Sequence, residues 1–335
     1  MTVNLAINGF GRIGRNILRV LVESGRTDLR VVAINDLTLL STNALLLERD
    51  TVHGRFPGQI SIAEDSLDIG HGPIHVTAQR DPAQLPWGAL NVDIVLECTG
   101  FFRARDKAAL HLQAGAKRVL ISAPGKQSDA TIVYGVNHET LDASHQIVSN
   151  ASCSTNCLAP LAHVLHSAFG LERGFMTTIH SYTASQNLLD RGHKDPRRAR
   201  AAAENIIPTT TGAAKAVGLV LPELAGKLDG MSIRVPTPNV SAIDFTFETR
   251  KDMSPQSILD AVQTAADGPL DGILGLSSAP LVSRDFNHDP RSCIVDADQT
   301  RVLDATMGRV LAWYDNEWGF SNRMLDTATA MARLS

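Results

Sequence analysis

Apolar positions along this chain fall into two textures, and the change comes near residue 150. Before it, short and nearly continuous apolar runs at residues 3–8, 29–34, 93–99 and 118–122 read as strands buried on both faces. Shorter strands are expected at 59–62 and 74–78. Between them Ile17, Leu18, Leu21 and Val22 recur at helical spacing up to Gly25, and 41–50 and 105–114 read as further helices. Regular alternation of strand and helix predicts an α/β unit on a parallel, doubly wound sheet. Such sheets bind ligands at the carboxyl ends of their strands, here at Asp36, Thr99 and Ser122. Beyond residue 152 the order loosens. Residues 177–180, 232–235, 241–248 and 281–283 read as strands, and 211–220 and 254–266 as helices. That mixture predicts an α+β unit on a mixed or antiparallel sheet. A closing helix follows Gly319, through Met324, Ala328 and Met331.

Chemistry concentrates where the texture changes. Residues 149–160 read Ser-Asn-Ala-Ser-Cys-Ser-Thr-Asn-Cys-Leu-Ala-Pro, after a short strand at Ile147-Val148 and before a helix through Leu158, Leu161, Val164 and Leu165. Ser152 suits an N-cap, which puts Cys153 in the first helical turn. Free backbone N–H groups and the helix dipole there favour a thiolate over a thiol. Pro160 is expected to kink the helix or limit its first segment. A buried structural cysteine is the competing reading, and it suits Cys157 well. A second half of the chemistry lies at residues 176–183, where strand alternation sets His180 among hydroxyls. A histidine that takes a thiol proton is what an activated cysteine requires.

The other motif opens the chain. Gly9-Phe-Gly11-Arg12-Ile13-Gly14 stands between the first strand and the first helix, and Asp36 ends the second strand. This is the dinucleotide-binding pattern in its structural context. Glycines admit the tight turn and the close approach of a pyrophosphate to the helix N-terminus. Asp36 is placed to accept from a ribose 2′-hydroxyl and to repel a 2′-phosphate. A plain strand–turn–helix connection is the alternative.

Bulk properties narrow the rest. With 335 residues, 44% apolar and 20% charged, the chain has room for two domains and a full core. A net charge of −4 gives no electrostatic reason for nucleic acid or a membrane as partner. The cluster Arg197-Arg198-Ala-Arg200 reads as a solvated face or as a phosphate seat. Cys98, Cys153, Cys157 and Cys293 make neither a metal-ligand spacing nor a disulfide framework. No apolar signal segment or membrane span is legible, so a reducing cytoplasm is expected.

Taken together, the runs at residues 7–14, 151–160, 180–183 and 313–319 resemble the phosphorylating glyceraldehyde-3-phosphate dehydrogenases, of bacterial type, over essentially the whole chain. The resemblance implies NAD as cofactor and a Rossmann domain of 1–152 with 319–335, because the family returns its last helix to that domain. It implies a catalytic domain of 153–318. Cys153 would attack the aldehyde of glyceraldehyde 3-phosphate, a thioester would follow, and inorganic phosphate would release an acyl phosphate. His180 would be the general base. Gly9, Gly11, Arg12, Ile13, Gly14, Asp36, Arg80 and Ser122 fall on cofactor positions, and Asn316 on the residue that holds the nicotinamide carboxamide. Ser152, Ser154, Thr183, Arg198, Thr211, Gly212 and Arg234 fall on phosphate positions. No metal is implied, and the usual assembly is a homotetramer.

Three departures stand out. Ser154 replaces the usual threonine, which predicts a looser rotamer. Phe320 replaces a frequent tyrosine. Arg191-Gly192 replaces the leucine-proline of NAD-specific members, so Arg191 is expected to give minor tolerance of NADP. The nearest rival is erythrose-4-phosphate dehydrogenase, a sister enzyme, against which the run Pro208–Ala214 speaks. A catalytically silent binding protein is the rival of another class.

Overall fold

In the computed structural model, which describes residues 2–334, Val3–Asn8 is the central strand of a nine-stranded sheet. Leu29–Asn35 pairs with it on one side and Ile94–Glu97 on the other, both parallel. Arg118–Ile121, Ile147–Ser149 and Ala130–Thr131 extend the second side, and Pro73–Thr77 the first, again parallel. Only the edge strands Ser66–Asp68 and Ser61–Ile62 run antiparallel. Strand order reverses at Val3–Asn8, and this opens a crevice at the carboxyl ends of the central strands. Leu5, Ala6 and Ile7 lose all accessible surface, as a strand covered on both faces must.

The turn after this strand is where glycine is required. Gly9 has φ +93°, and a Cβ there would lie 2.7 Å from the Thr99 amide nitrogen. A Cβ on Gly14 would stand 2.3 Å from the Gly9 carbonyl oxygen, so only glycine lets the helix Arg12–Glu23 start this close to the turn. Residues Met1–Ser152 and Ser321–Ser335 form this unit, and Cys153–Phe320 forms a second.

The second unit is built on the helix Cys153–Phe169 and a mixed sheet. Its order is Ile207–Thr210, Leu228–Val235, Leu171–Ser181, Ser241–Thr249, Met307–Tyr314, Cys293–Asp296, Leu274–Ser277. Leu171–Ser181 runs parallel to Leu228–Val235, and Leu274–Ser277 parallel to Cys293–Asp296; the other pairs are antiparallel. Along Leu171–Ser181 the even residues Met176, Thr178 and His180 are buried, while Phe175 and Ile179 are exposed. Period two therefore aims His180 inward.

Of the two effects expected of Pro160, an early end to the helix does not occur, since Pro160 lies inside Cys153–Phe169. Leu158, Ala159, Leu161 and Leu165 around it are fully buried, and that burial outweighs the roughly 3 kcal/mol a mid-helix proline costs. Residues 281–283 form no strand. Leu281 and Val282 are exposed, and the Val282 amide donates to the Asp285 carboxylate at the start of a short 3₁₀ turn, Ser283–Phe286. Apolar character without a covering layer gave a false strand signal. The strands of that region, Leu274–Ser277, Cys293–Asp296, Arg301–Leu303 and Met307–Tyr314, went unread.

Candidate active site

In the amino-terminal unit the crevice is a cavity of about 410 Å³ whose walls include Gly9, Gly11, Asp36 and Arg80 of the expected cofactor set. Asp36 is the best-held group in it. One carboxylate oxygen accepts from the Phe10 amide at 2.7 Å and the other from the Thr38 amide at 2.8 Å. Burial alone would raise its pKa, and these N–H donors outweigh it, so Asp36 stays below its ordinary value. No side chain caps the helix Arg12–Glu23, and a Cβ on Gly11 would meet only open space. Uncapped N–H groups facing an open turn, with an ionised carboxylate at the next strand end, fit a dinucleotide.

Arg12, Ile13, Gly14 and Ser122 stand outside that lining. Arg12 forms an ion pair with buried Asp50, and Ser122 Oγ donates to the Glu97 carbonyl at 2.9 Å. Burial would raise Asp50; Arg12 and the amides of His53 and Val52 instead bring it to about 2.

Sequence reasoning missed the polar floor of the cavity. Asn35 Nδ2 donates to Asn8 Oδ1 at 2.7 Å, and Asn8 Nδ2 to Glu97 Oε2 at 2.6 Å. Glu97 also accepts from the Thr99 amide at 2.8 Å and faces His111 Nε2 at 3.0 Å, while Trp87 Nε1 donates to His111 Nδ1 at 3.0 Å. The available signal was a glutamate closing an apolar strand, Ile94–Glu97, where water is excluded.

In the second unit Cys153 is the first residue of its helix, and its Sγ lies 3.5 Å from His180 Nε2. His180 Nδ1 is 2.7 Å from the Ser181 carbonyl and 2.8 Å from Arg234 Nη1, which itself donates to that carbonyl at 3.0 Å. A carbonyl only accepts and a guanidinium only donates, so Nδ1 meets one partner of each kind. With its proton given to the Ser181 carbonyl, the Nε2 lone pair faces sulfur, and with Nδ1 accepting from Arg234 the proton sits on Nε2. Strand register makes this contact, since His180 and Arg234 are directly paired neighbours.

Burial, with the Arg234 and Arg198 cations, lowers the His180 pKa to about 3. Burial raises Cys153, against the lowering set by Arg234 and by hydrogen bonds from Ser154. The resting pair is therefore neutral thiol and neutral imidazole, not the pre-formed thiolate expected from a helix terminus. Burial pushes Cys98 up to about 12, and Cys157 also lies well above its ordinary value from burial and the adjacent Cys293. Among the described residues only Cys153 pairs with a histidine.

Phosphate candidates surround this pair unevenly. Arg234 and Arg198 both act on His180 electrostatically. Arg198 Nε donates to Thr209 Oγ1 at 3.0 Å. Gly212 caps the helix Ala213–Val220, and Thr211 Oγ1 accepts from the Ala213 amide at 3.2 Å. Thr183 Oγ1 lies 2.9 Å from Ser185 Oγ, and Ser152 directly precedes the helix of Cys153. Ser154 is buried, its Oγ 2.7 Å from the Tyr314 hydroxyl, which is also 2.8 Å from Thr178 Oγ1. This contact orients the Ser154 hydroxyl. Asn316 Oδ1 accepts from Ser181 Oγ and Ser241 Oγ, each at 2.9 Å. Phe320 is buried, and Arg191 is exposed. Among the described residues no cluster of His, Cys, Asp or Glu could hold a metal, and no helix is long and apolar enough to cross a membrane.

Residues 3–105 match the family model of the glyceraldehyde 3-phosphate dehydrogenase NAD binding domain, and residues 152–316 that of its C-terminal domain. The fold and these matches define an NAD-binding dehydrogenase. Glyceraldehyde-3-phosphate dehydrogenases of Cereibacter sphaeroides and Xanthobacter flavus are 63% and 64% identical to the chain over 334 residues, each covering all of both sequences. That of Pseudomonas aeruginosa is 59% identical over 333 residues, 99% of each. The chain belongs to the glyceraldehyde-3-phosphate dehydrogenase family.

Proposed function

We propose that the protein oxidises D-glyceraldehyde 3-phosphate to 1,3-bisphosphoglycerate with inorganic phosphate, through a thiohemiacetal and a thioester on Cys153. The observation that carries this is the 3.5 Å approach of Cys153 Sγ to His180 Nε2, at a helix N-terminus and beside Arg234. His180 takes the thiol proton as sulfur attacks the aldehyde carbon, returns it to the oxyanion to give the thiohemiacetal hydroxyl, and takes it again as the thioester forms. The Cys153 amide and His180 donate to the developing oxyanion. NAD supplies the hydride acceptor, its nucleotide end held by Gly9, Gly11, Asp36 and Arg80 and its carboxamide by Asn316. Thr183, Arg198 and Arg234 seat one phosphate, and Ser152, Ser154, Thr211 and Gly212 the other. An anion against Arg198 and Arg234 offsets the field that depresses His180, so substrate binding itself makes the imidazole a better base.

The first unit thus serves the nucleotide and the second the thiol chemistry. Exposed Arg191 has no side-chain partner among the described residues, which favours a secondary use of NADP. Phe175, Ile179, Met231 and Met307 leave an apolar sheet face exposed, which favours a homo-oligomer, a tetramer on the family pattern. A free catalytic thiol suits the cytoplasm.

The test is NADH formation from glyceraldehyde 3-phosphate with and without phosphate, beside erythrose 4-phosphate. Phosphate-dependent turnover on the three-carbon substrate is expected. Phosphate-independent turnover that prefers the four-carbon sugar would instead mean the sister activity. Absence of turnover on both sugars, with NAD still bound, would favour a silent binding protein.

A further inference from the structure

Asn316 is held in a way that its own position in the chain does not require. Its Oδ1 accepts two hydroxyl donors, Ser181 Oγ and Ser241 Oγ, both at 2.9 Å. Ser181 and Ser241 are 0% and 1% exposed, and Ser241 Oγ also accepts from the Ser181 amide at 3.1 Å. These bonds decide which end of the amide is oxygen. Were the amide turned over, both serine hydroxyl protons would be buried without an acceptor, since neither finds another among the described residues. With Oδ1 between them both serine hydroxyls are satisfied. The amide nitrogen then has no protein acceptor among the described residues, although Asn316 is mostly buried, and it is not fully enclosed. Its N–H donors remain available to a ligand.

The backbone beside Ser241 points the same way. Val240, a buried β-branched residue, has φ +65°, a conformation that such residues rarely adopt. Strain of this kind persists only where the surroundings over-determine it. Here it delivers Ser241 to Asn316 from the start of the strand Ser241–Thr249, opposite Tyr314.

We propose that Ser181 and Ser241 are positioning residues that lock the Asn316 amide with its N–H donors outward, so that the protein selects a carbonyl-type acceptor on the ring it binds. This rests on the reading that Asn316 holds the nicotinamide carboxamide, and it specifies the polarity of that contact. The carboxamide oxygen is the atom recognised, and the ring face presented for transfer follows from it. A cofactor analogue that keeps the carbonyl and loses the amide nitrogen, such as the 3-acetylpyridine dinucleotide, should retain this contact. Thionicotinamide dinucleotide, whose sulfur accepts poorly, should lose most of it.

Calorimetric binding of NAD and of ADP-ribose, which lacks the ring, tests this without turnover. In the parent protein NAD should bind more tightly than ADP-ribose. In Ser181→Ala/Ser241→Ala that preference should fall about tenfold with ADP-ribose affinity unchanged, the size of one lost hydrogen bond. Ser181→Thr, which keeps the hydroxyl, in a Ser241 background should restore it. The double variant should also transfer deuterium from both faces of labelled cofactor, where the parent uses one. Equal weakening of NAD and ADP-ribose would mean a general structural role and overturn the proposal. So would an unchanged preference together with a loss in Asn316→Ala. If Asn316→Ala itself keeps the preference, the underlying reading of Asn316 fails instead.

Discussion

The nucleotide cavity of the first unit and the thiol site of the second are made in opposite ways. The nucleotide cavity is built from backbone and from neighbours in sequence. Gly9, Gly11 and Gly14 lie within one turn, and Asp36 is held by the amides of Phe10 and Thr38. The thiol site is built from side chains that meet across the second unit. Cys153 opens a helix, His180 and Arg234 come from paired strands, and Ser154 bonds Tyr314 across 160 positions of sequence. A backbone-built site is robust to side-chain change and fragile at its glycines. A side-chain-built site should be lost by single truncations that leave the fold intact.

That contrast can be broken by measurement. Cys153→Ser should lower kcat about 10⁴-fold or more, with an unchanged melting temperature, because it removes the nucleophile and almost no volume. A drop in melting temperature parallel to the loss of activity would count against it. His180→Asn should cost about 10²–10⁴ in kcat and slow alkylation of Cys153 by iodoacetamide, as expected for loss of a general base. Gly9→Ala should act on both stability and cofactor. It meets backbone at 2.7 Å with φ +93°, so a loss of about 1–3 kcal/mol and a roughly tenfold weaker NAD affinity are expected from chemical denaturation and calorimetry.

Protonation of His180 gives a finer test. Its folded pKa, about 3, lies below the ordinary value of 6.5, so between those limits the unfolded chain binds a proton that the folded chain refuses. Stability contributed by the neutral ring is complete above pH 6.5 and is lost as pH falls toward 3, at no more than about 1.4 kcal/mol per pH unit. Denaturation midpoints at pH 7, 6 and 5 should show that slope in the parent and a shallower one in His180→Asn. Identical slopes would remove the depressed histidine from the account. The smallest change is expected at Arg191. Arg191→Leu should raise the NAD over NADP ratio of kcat/KM by about two- to fivefold, as for an exposed ion pair. No change in NADP use would end the case for Arg191.

What could be read from the sequence follows the same division. The strand–glycine–helix run, the acid at Asp36 and the cysteine at a helix start are encoded by contiguous residues, where local sterics and hydrogen bonding decide. His180 was legible because period two along one strand names the inward face. Residues 281–283 misled, since apolar character becomes a strand only under a covering layer. Strand register alone set Arg234 against His180, and a strained Val240 brought Ser241 to Asn316. The charge state of the pair was also tertiary. A helix terminus in isolation favours the thiolate, and burial beside Arg234 and Arg198 yields a neutral thiol and imidazole. Local sequence chose the chemical groups, and desolvation and register, which exist only in the folded chain, decided how they face one another and which protons they hold.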